Sequence, residues 1–351
     1  MAGDGCHELW SVSGGSEQDV SEINTARQFW IRAPGRGEIV RAQLAPRQKG
    51  EVLVRTLYSA VSRGTESLVF KGEVPSSQYE AMRAPFQQGQ FPGPVKYGYT
   101  NVGEVTEGPD AGPSDLTGRI VFCLFPHQDF YCVPAAVVVP VPDDLPAGRA
   151  VLAASMETAV NVLWDARPSA GDRIVVIGAG VVGFLVAWLC RQMPGSCVTI
   201  VDTNPAREAI AHELGVSFLA EPPLDANADL VIHASGQPEG LASALAVAGI
   251  ETTIVEASWY GNRSVPLPLG ESFHSRRLTL RSSQVGRIPP DRASRWSARR
   301  RMQLALELLR DPRLDALITG ESAFEDLPEV LATLSRDPGG ALCHRIRYST
   351  P

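Results

Sequence analysis

Gly178-Ala179-Gly180-Val181-Val182-Gly183 carries three glycines at the spacing G-x-G-x-x-G, directly after a β-branched run and ahead of a helical one. The first glycine permits a tight turn, the second lets backbone approach a pyrophosphate, and the third lets helix pack on strand. The helix opening there aims free N–H groups and a positive dipole end at phosphates. Gly178, Gly180, Val181, Val182 and Gly183 are therefore the expected contacts of a dinucleotide. Asp202 ends the next apolar run, at about the 20-residue distance where a carboxylate takes the adenosine ribose diol and repels a 2′-phosphate. That selects NAD(H), and Arg207 weakens the selection. Ser235, in His233-Ala234-Ser235-Gly236, is either a further ligand contact or an ordinary strand-end turn.

Two titratable residues have the type and setting for proton transfer. Glu157 is the one charged residue between Arg149 and Asp165, inside an apolar, helix-like run. Burial raises a carboxyl toward a useful acid/base range; the plainer alternative is a carboxylate favoured by a helix N-terminus. His127 interrupts the apolar stretch Cys123 to Cys132. Imidazole needs the least tuning near neutral pH, although a hydrogen-bonded turn histidine is equally open. Cys123, His127 and Cys132 match no familiar metal spacing. The remaining histidines (His7, His212, His233, His274 and His344) have no partner visible in the sequence. Arg276 to Arg301 holds nine arginines against Asp291 alone. Such a run is either a solvated helix face or a landing surface for an anionic substrate.

The elements that must position these residues divide the 351-residue chain. Residues 1–25 are polar and Gly/Ser-rich and are expected to be a flexible extension. Residues 26–150 show short β-like runs (Ile39-Val40, Val52-Leu57, Val102-Val105, Ile120-Leu124, Tyr131-Val141) punctuated by Pro/Gly turns, a compact β-rich domain. Residues 151–290 alternate strand and helix: Arg173-Ile177, Val181-Met193, Val198-Asp202, a helix capped by Asn204-Pro205, Leu230-His233, Pro238-Gly249 and Thr252-Ala257. That alternation predicts a doubly wound parallel sheet, an α/β fold. Residues 291–351 are expected to return to the first domain, ending in a strand near Ala341-Tyr348.

With 44% apolar and 20% charged residues, the chain has the material for a sizeable core. A net charge of −7 argues against general binding to nucleic acid or anionic membrane. No basic, apolar leader opens the chain and no C-x-x-C pair is present, so a reducing cytoplasm is the expected compartment.

Four further segments carry a resemblance: Leu57-Tyr58-Ser59-Ala60-Val61-Ser62-Arg63-Gly64-Thr65-Glu66, Pro94-Val95-Lys96-Tyr97-Gly98-Tyr99, Phe125-Pro126-His127-Gln128 and Ser282-Ser283-Gln284-Val285-Gly286. With the Rossmann unit they resemble the medium-chain dehydrogenase/reductase superfamily. Within it they are most similar to the branch containing 2-desacetyl-2-hydroxyethyl bacteriochlorophyllide a dehydrogenase. The resemblance implies a GroES-like catalytic domain, an active site between it and the Rossmann domain, and a homodimer joined through the Rossmann sheet edge. It also implies a metal site that this chain has lost. Ser62 stands at the first ligand position and Tyr99-Thr100 follow Gly98, while Glu157 alone is of ligand type; the structural-zinc cysteines are missing. Hydroxyl and phenol are poor zinc donors, so no metal is expected. Tyr99 and Ser62 become candidate hydroxyl donors to a substrate oxygen, and Thr158 and Gln284 are expected to face the nicotinamide. The expected function is a zinc-independent, NAD(H)-dependent interconversion of secondary alcohol and ketone on a small or biosynthetic-intermediate substrate, anionic if the arginine run is its landing surface. A zinc-free enoyl reductase and a non-catalytic nucleotide-binding protein are the rivals.

Overall fold

The computed structural model describes residues 24–109, 116–337 and 339–349. The expected extension, up to residue 23, lies outside the described residues. A six-stranded sheet organises the middle of the chain. Its strands are β1 (Arg173–Ile177), β2 (Cys197–Val201), β3 (Ser217–Leu219), β4 (Ala228–His233), β5 (Ala248–Glu256) and β6 (Thr279–Ser282). They lie in the order β3-β2-β1-β4-β5-β6, every neighbouring pair parallel. Ile174, Val175, Val176 and Ile177 of β1 are all buried, as a strand covered on both faces requires. Helices α1 (Ala153–Ala166), α2 (Val181–Arg191), α3 (Arg207–Glu213) and α4 (Pro238–Val247) flank these strands. In α2 every residue from Gly183 to Cys190 is buried, so packing rather than amphipathic patterning fixes it.

The strand order reverses between β1 and β4. Connections leave these two strands toward opposite faces, and their carboxyl ends open a crevice.

The rest of the chain builds two further sheets. In the larger, Cys343–Arg347 pairs antiparallel with Glu51–Val61, His344 facing Val61. On its other side Glu51–Val61 pairs with Asn101–Glu107. The smaller sheet contains Thr25–Ala33 and Arg36–Gln43. The single β run expected over Tyr131-Val141 is two strands, Phe130–Pro134 and Val139–Pro140. A turn closed by Val137 N–H donating to the Pro134 carbonyl (3.0 Å) separates them. The helix after Asn204 begins at Arg207; Asn204 caps the preceding turn by accepting from Ala206 N–H at 3.0 Å. Helix α5 (Ala298–Leu308) starts with a Ser297 cap and packs against α1.

Candidate coenzyme and active-site cleft

At the crevice β1 ends in a turn that only glycine fits. Gly178 sits at φ 106°, and a Cβ there would lie 2.5 Å from Ser235 N. A Cβ on Gly183 would lie 1.8 Å from the Gly178 carbonyl oxygen. A Cβ on Gly180, at the start of α2, would meet nothing nearer than the Arg63 guanidinium at 3.8 Å, so there is open space beside its backbone. The N–H groups of Val181, Val182 and Gly183 have no acceptor within the helix. Asp202, just past β2, accepts from Ala179 N–H (2.8 Å) and Asn204 N–H (2.9 Å). A carboxylate is thus fixed beside the glycine turn.

Gly180, Val181, Val182 and Ser235 line one wall of a cleft together with Trp259. Facing them are Ser62, Arg63, Thr65 and Tyr99, and α1 contributes Ala154, Ser155 and Thr158. Seven of the anticipated residues therefore meet in one place: Ser62, Tyr99, Thr158, Gly180, Val181, Val182 and Ser235. Thr158 donates its hydroxyl to the Ala154 carbonyl at 3.0 Å, leaving its oxygen as an acceptor. Burial pushes the Tyr99 phenol up to about 12, with nearby Glu66 adding to the rise; the Ser62 and Thr65 hydroxyls, hydrogen-bonded to it, partly offset both. At neutral pH Tyr99 is a protonated donor.

Behind Tyr99 runs a buried polar chain. Glu66 accepts from Ser62 N–H and meets His127 Nε2 at 2.9 Å. His127 Nδ1 meets Ser59 Oγ at 2.7 Å, and Ser59 Oγ meets the Tyr348 hydroxyl at 3.0 Å. His127 is 1% exposed and does not reach the cleft, so its expected contact with substrate is corrected: it braces Glu66 from behind.

Two other expectations are corrected. Glu157, one position round the helix from Thr158, points away from the cleft and pairs with Arg301 at 3.1 Å. Burial raises its carboxyl and Arg301 offsets only part of the rise. The Gln284 side chain packs against Gly286, and the Gln284 backbone carbonyl accepts from Asn161 Nδ2; Gln284 is not among the cleft-lining residues. Arginines of the 276–301 run cap carbonyls: Arg276 that of Ala248 at 2.6 Å, Arg299 those of Ala136 and Val138 at 2.7 and 2.8 Å. These two guanidiniums hold backbone in place.

Sequence reading missed Arg63. It lies within the segment that carries the resemblance, but its chemistry is visible only in three dimensions. Arg63 and Arg207 both donate to the Ala341 carbonyl (3.0 and 3.3 Å), and Arg207 also to Gly340 (2.7 Å). Burial lowers both guanidiniums, which are also near Asp202. Two cations thus flank the glycine turn. His233 was missed as well, since its partner Glu256 arrives from the neighbouring strand.

Among the described residues no histidine, aspartate or glutamate lines the cleft. Cys343 is its one thiol, which burial pushes up to about 12, and one thiol alone falls short of the three protein ligands a catalytic zinc takes. Among the described residues no group of three or more His, Cys, Asp or Glu side chains is placed to hold a metal. No helix among them is long and apolar enough to cross a membrane.

No protein-family profile matches the chain. It is 32% identical to L-threonine 3-dehydrogenase of Rhizobium rhizogenes over 121 residues, 34% of this chain and 34% of that protein. The match thus spans about a third of the curated relative's length. An alcohol dehydrogenase of Escherichia coli CFT073, complexed with NADH, superposes with a TM-score of 0.72 at 16% identity, covering 92% of this chain and 99% of that one. A zinc-binding dehydrogenase of Sinorhizobium meliloti 1021 bound to NADP gives 0.73 at 16% identity, covering 92% and 99%. The chain shares the α/β fold of dehydrogenases that join a GroES-like domain to a Rossmann domain.

Proposed function

We propose that this protein is a nicotinamide-dependent oxidoreductase that interconverts a secondary alcohol and a ketone without a catalytic metal. The observation that carries the reading is the crevice at the strand-order reversal, where a Cβ-intolerant turn, unbonded α2 amides and Arg63 meet the hydroxyls of Tyr99, Ser62 and Thr65. Amides at a helix start and a guanidinium are the donors a pyrophosphate requires. The coenzyme would supply a hydride acceptor or donor. Asp202, held by Ala179 N–H, favours NAD(H) through the ribose diol, and Arg207 is the cation that lets NADP(H) compete.

In the absence of a Lewis acid the negative charge that develops on the substrate oxygen needs a protein donor. Tyr99 fits: its phenol keeps its proton, faces the cleft and is oriented by Ser62 and Thr65. The Glu66–His127 pair fixes the loop that carries Ser62. The lining offers zinc no adequate ligand set, so no step is assigned to a metal.

Purified protein is expected to bind NADH more tightly than NADPH by fluorescence titration, and to turn over with secondary alcohols after exhaustive chelation. Tyr99→Phe should lower kcat about 10²- to 10⁴-fold, the range for losing a proton donor, with the NADH Kd unchanged. Binding of neither coenzyme would overturn the reading; unchanged kcat in Tyr99→Phe would remove that residue's role. A substrate bearing both C=C and C=O identifies which bond is reduced.

We also propose that the protein is a cytoplasmic homodimer, joined through the unpaired edge of β6, all four residues of which are exposed.

A further inference from the structure

A buried histidine with a serine on one side and a carboxylate on the other sits where β4 and β5 end. His233 Nδ1 is 2.8 Å from Glu256 Oε2, and His233 Nε2 is 2.6 Å from Ser235 Oγ. Glu256 also accepts from Ser258 N–H (2.7 Å) and the Tyr260 hydroxyl (2.8 Å). Burial opposes ionisation of Glu256, but these bonds, led by that from His233, hold its carboxyl below the usual range. An ionised Glu256 has no proton to give, so Nδ1 carries one and Nε2 offers its lone pair. Ser235 Oγ accepts from Gln237 N–H at 3.1 Å, which leaves its own proton for Nε2. Connectivity and tautomer are those of an activated hydroxyl nucleophile: base on the serine, carboxylate on the base.

A serine turn accounts for the Gln237 contact but not for His233, which is 0% exposed, nor for Glu256. A second feature points the same way. Gly240 lies in the first turn of α4, and glycine is a poorer helix former than alanine. A Cβ there would lie 2.5 Å from Ser235 Oγ and 2.7 Å from His233 Nε2. The helix thus carries a glycine where the pair needs room. Ser235 lines the cleft beside Val181, Val182, Ala257 and Trp259, an apolar setting for an acyl chain. The α2 amides open into the same space and are suited to an oxyanion.

We propose that Ser235, His233 and Glu256 form a hydrolytic triad that accepts acyl groups from small uncharged esters in the coenzyme-free protein. Ser235 Oγ forms a bond to the ester carbonyl carbon while its proton moves to His233 Nε2. The carbon–oxygen bond to the leaving group breaks, and His233 returns the proton to the departing alkoxide. Water then attacks the acyl-serine by the same route, releasing the acid and restoring the hydroxyl. Ester and water become acid and alcohol, with no oxidant or reductant consumed. This activity does not use hydride transfer, and a dinucleotide bound in the same cleft would compete with the ester.

The test uses p-nitrophenyl acetate and, separately, phenylmethanesulfonyl fluoride on the full chain. The expected result is a stoichiometric burst of p-nitrophenolate and one sulfonyl adduct on the Ser235 peptide by mass spectrometry. Ser235→Ala should abolish the adduct and slow release at least about 100-fold. Gly240→Ala, which presses on the pair without removing either group, should slow it as well, and thermal melts of each variant confirm folding. An adduct on another residue, or equal release by folded Ser235→Ala, would overturn the triad.

Discussion

Glu157 and Arg301 are 5% and 3% exposed, and each neutralises the other inside the contact between α1 and α5. Removing one member of such a pair leaves an uncompensated buried charge, at a cost of about 3–5 kcal/mol. Glu157→Ala should therefore lower the denaturation free energy by that amount, and chemical denaturation measures it. Restoring neutrality with Glu157→Ala/Arg301→Met should recover most of the loss; if it does not, packing rather than charge dominates there. Lys96 is a second buried charge, 1% exposed, with Gln128 Oε1 at 2.8 Å and the Phe125 ring 5.4 Å away. Burial lowers its ammonium to about 8. An unfolded lysine holds its proton to about 10.4, so between these values the unfolded chain binds more protons. Stability should consequently rise with pH from about 8 to about 10, and Lys96→Met should remove that rise in pH-dependent melts.

At the scale of elements, the β1–α2 turn decides whether the cleft exists. Gly183 faces the Gly178 carbonyl so closely that an alanine cannot be accommodated without moving α2 off β1. Gly183→Ala is expected to weaken NADH binding by at least tenfold and to lower Tm, read by titration and melting; an unaltered Kd would show that the turn tolerates displacement. The sequence made this unit legible because its signals are local. A β-branched run, three spaced glycines and an apolar helix predict Arg173–Ile177 and the start of α2, and the structure has them there. Strands such as Thr25–Ala33 and Ile318–Ala323 were not legible. Their residues carry weak alternation and acquire strand geometry from partners distant in sequence.

At the scale of the whole molecule, β6 presents an unpaired edge with Leu280 exposed, and Ile250 is 81% exposed at the start of β5. An unpaired edge presents free N–H and C=O groups to another chain, and a second copy of β6 would continue the sheet. Light scattering should give twice the chain mass, and Leu280→Lys should shift it toward the monomer; a monomeric unaltered protein would remove the dimer. The same scale separates what residue order settles from what it leaves open. Hydrophobic periodicity and turn chemistry act within a dozen residues, so the sequence alone determined the α/β class, the glycine turn and the Asp202 that follows it. Which side chains share the cleft depends on helix rotation and on strands brought together from far apart. One step along α1 sends Thr158 to the cleft and Glu157 to Arg301, and neighbouring strands join His233 to Glu256. Those are choices of packing, made only when the whole chain closes on its core.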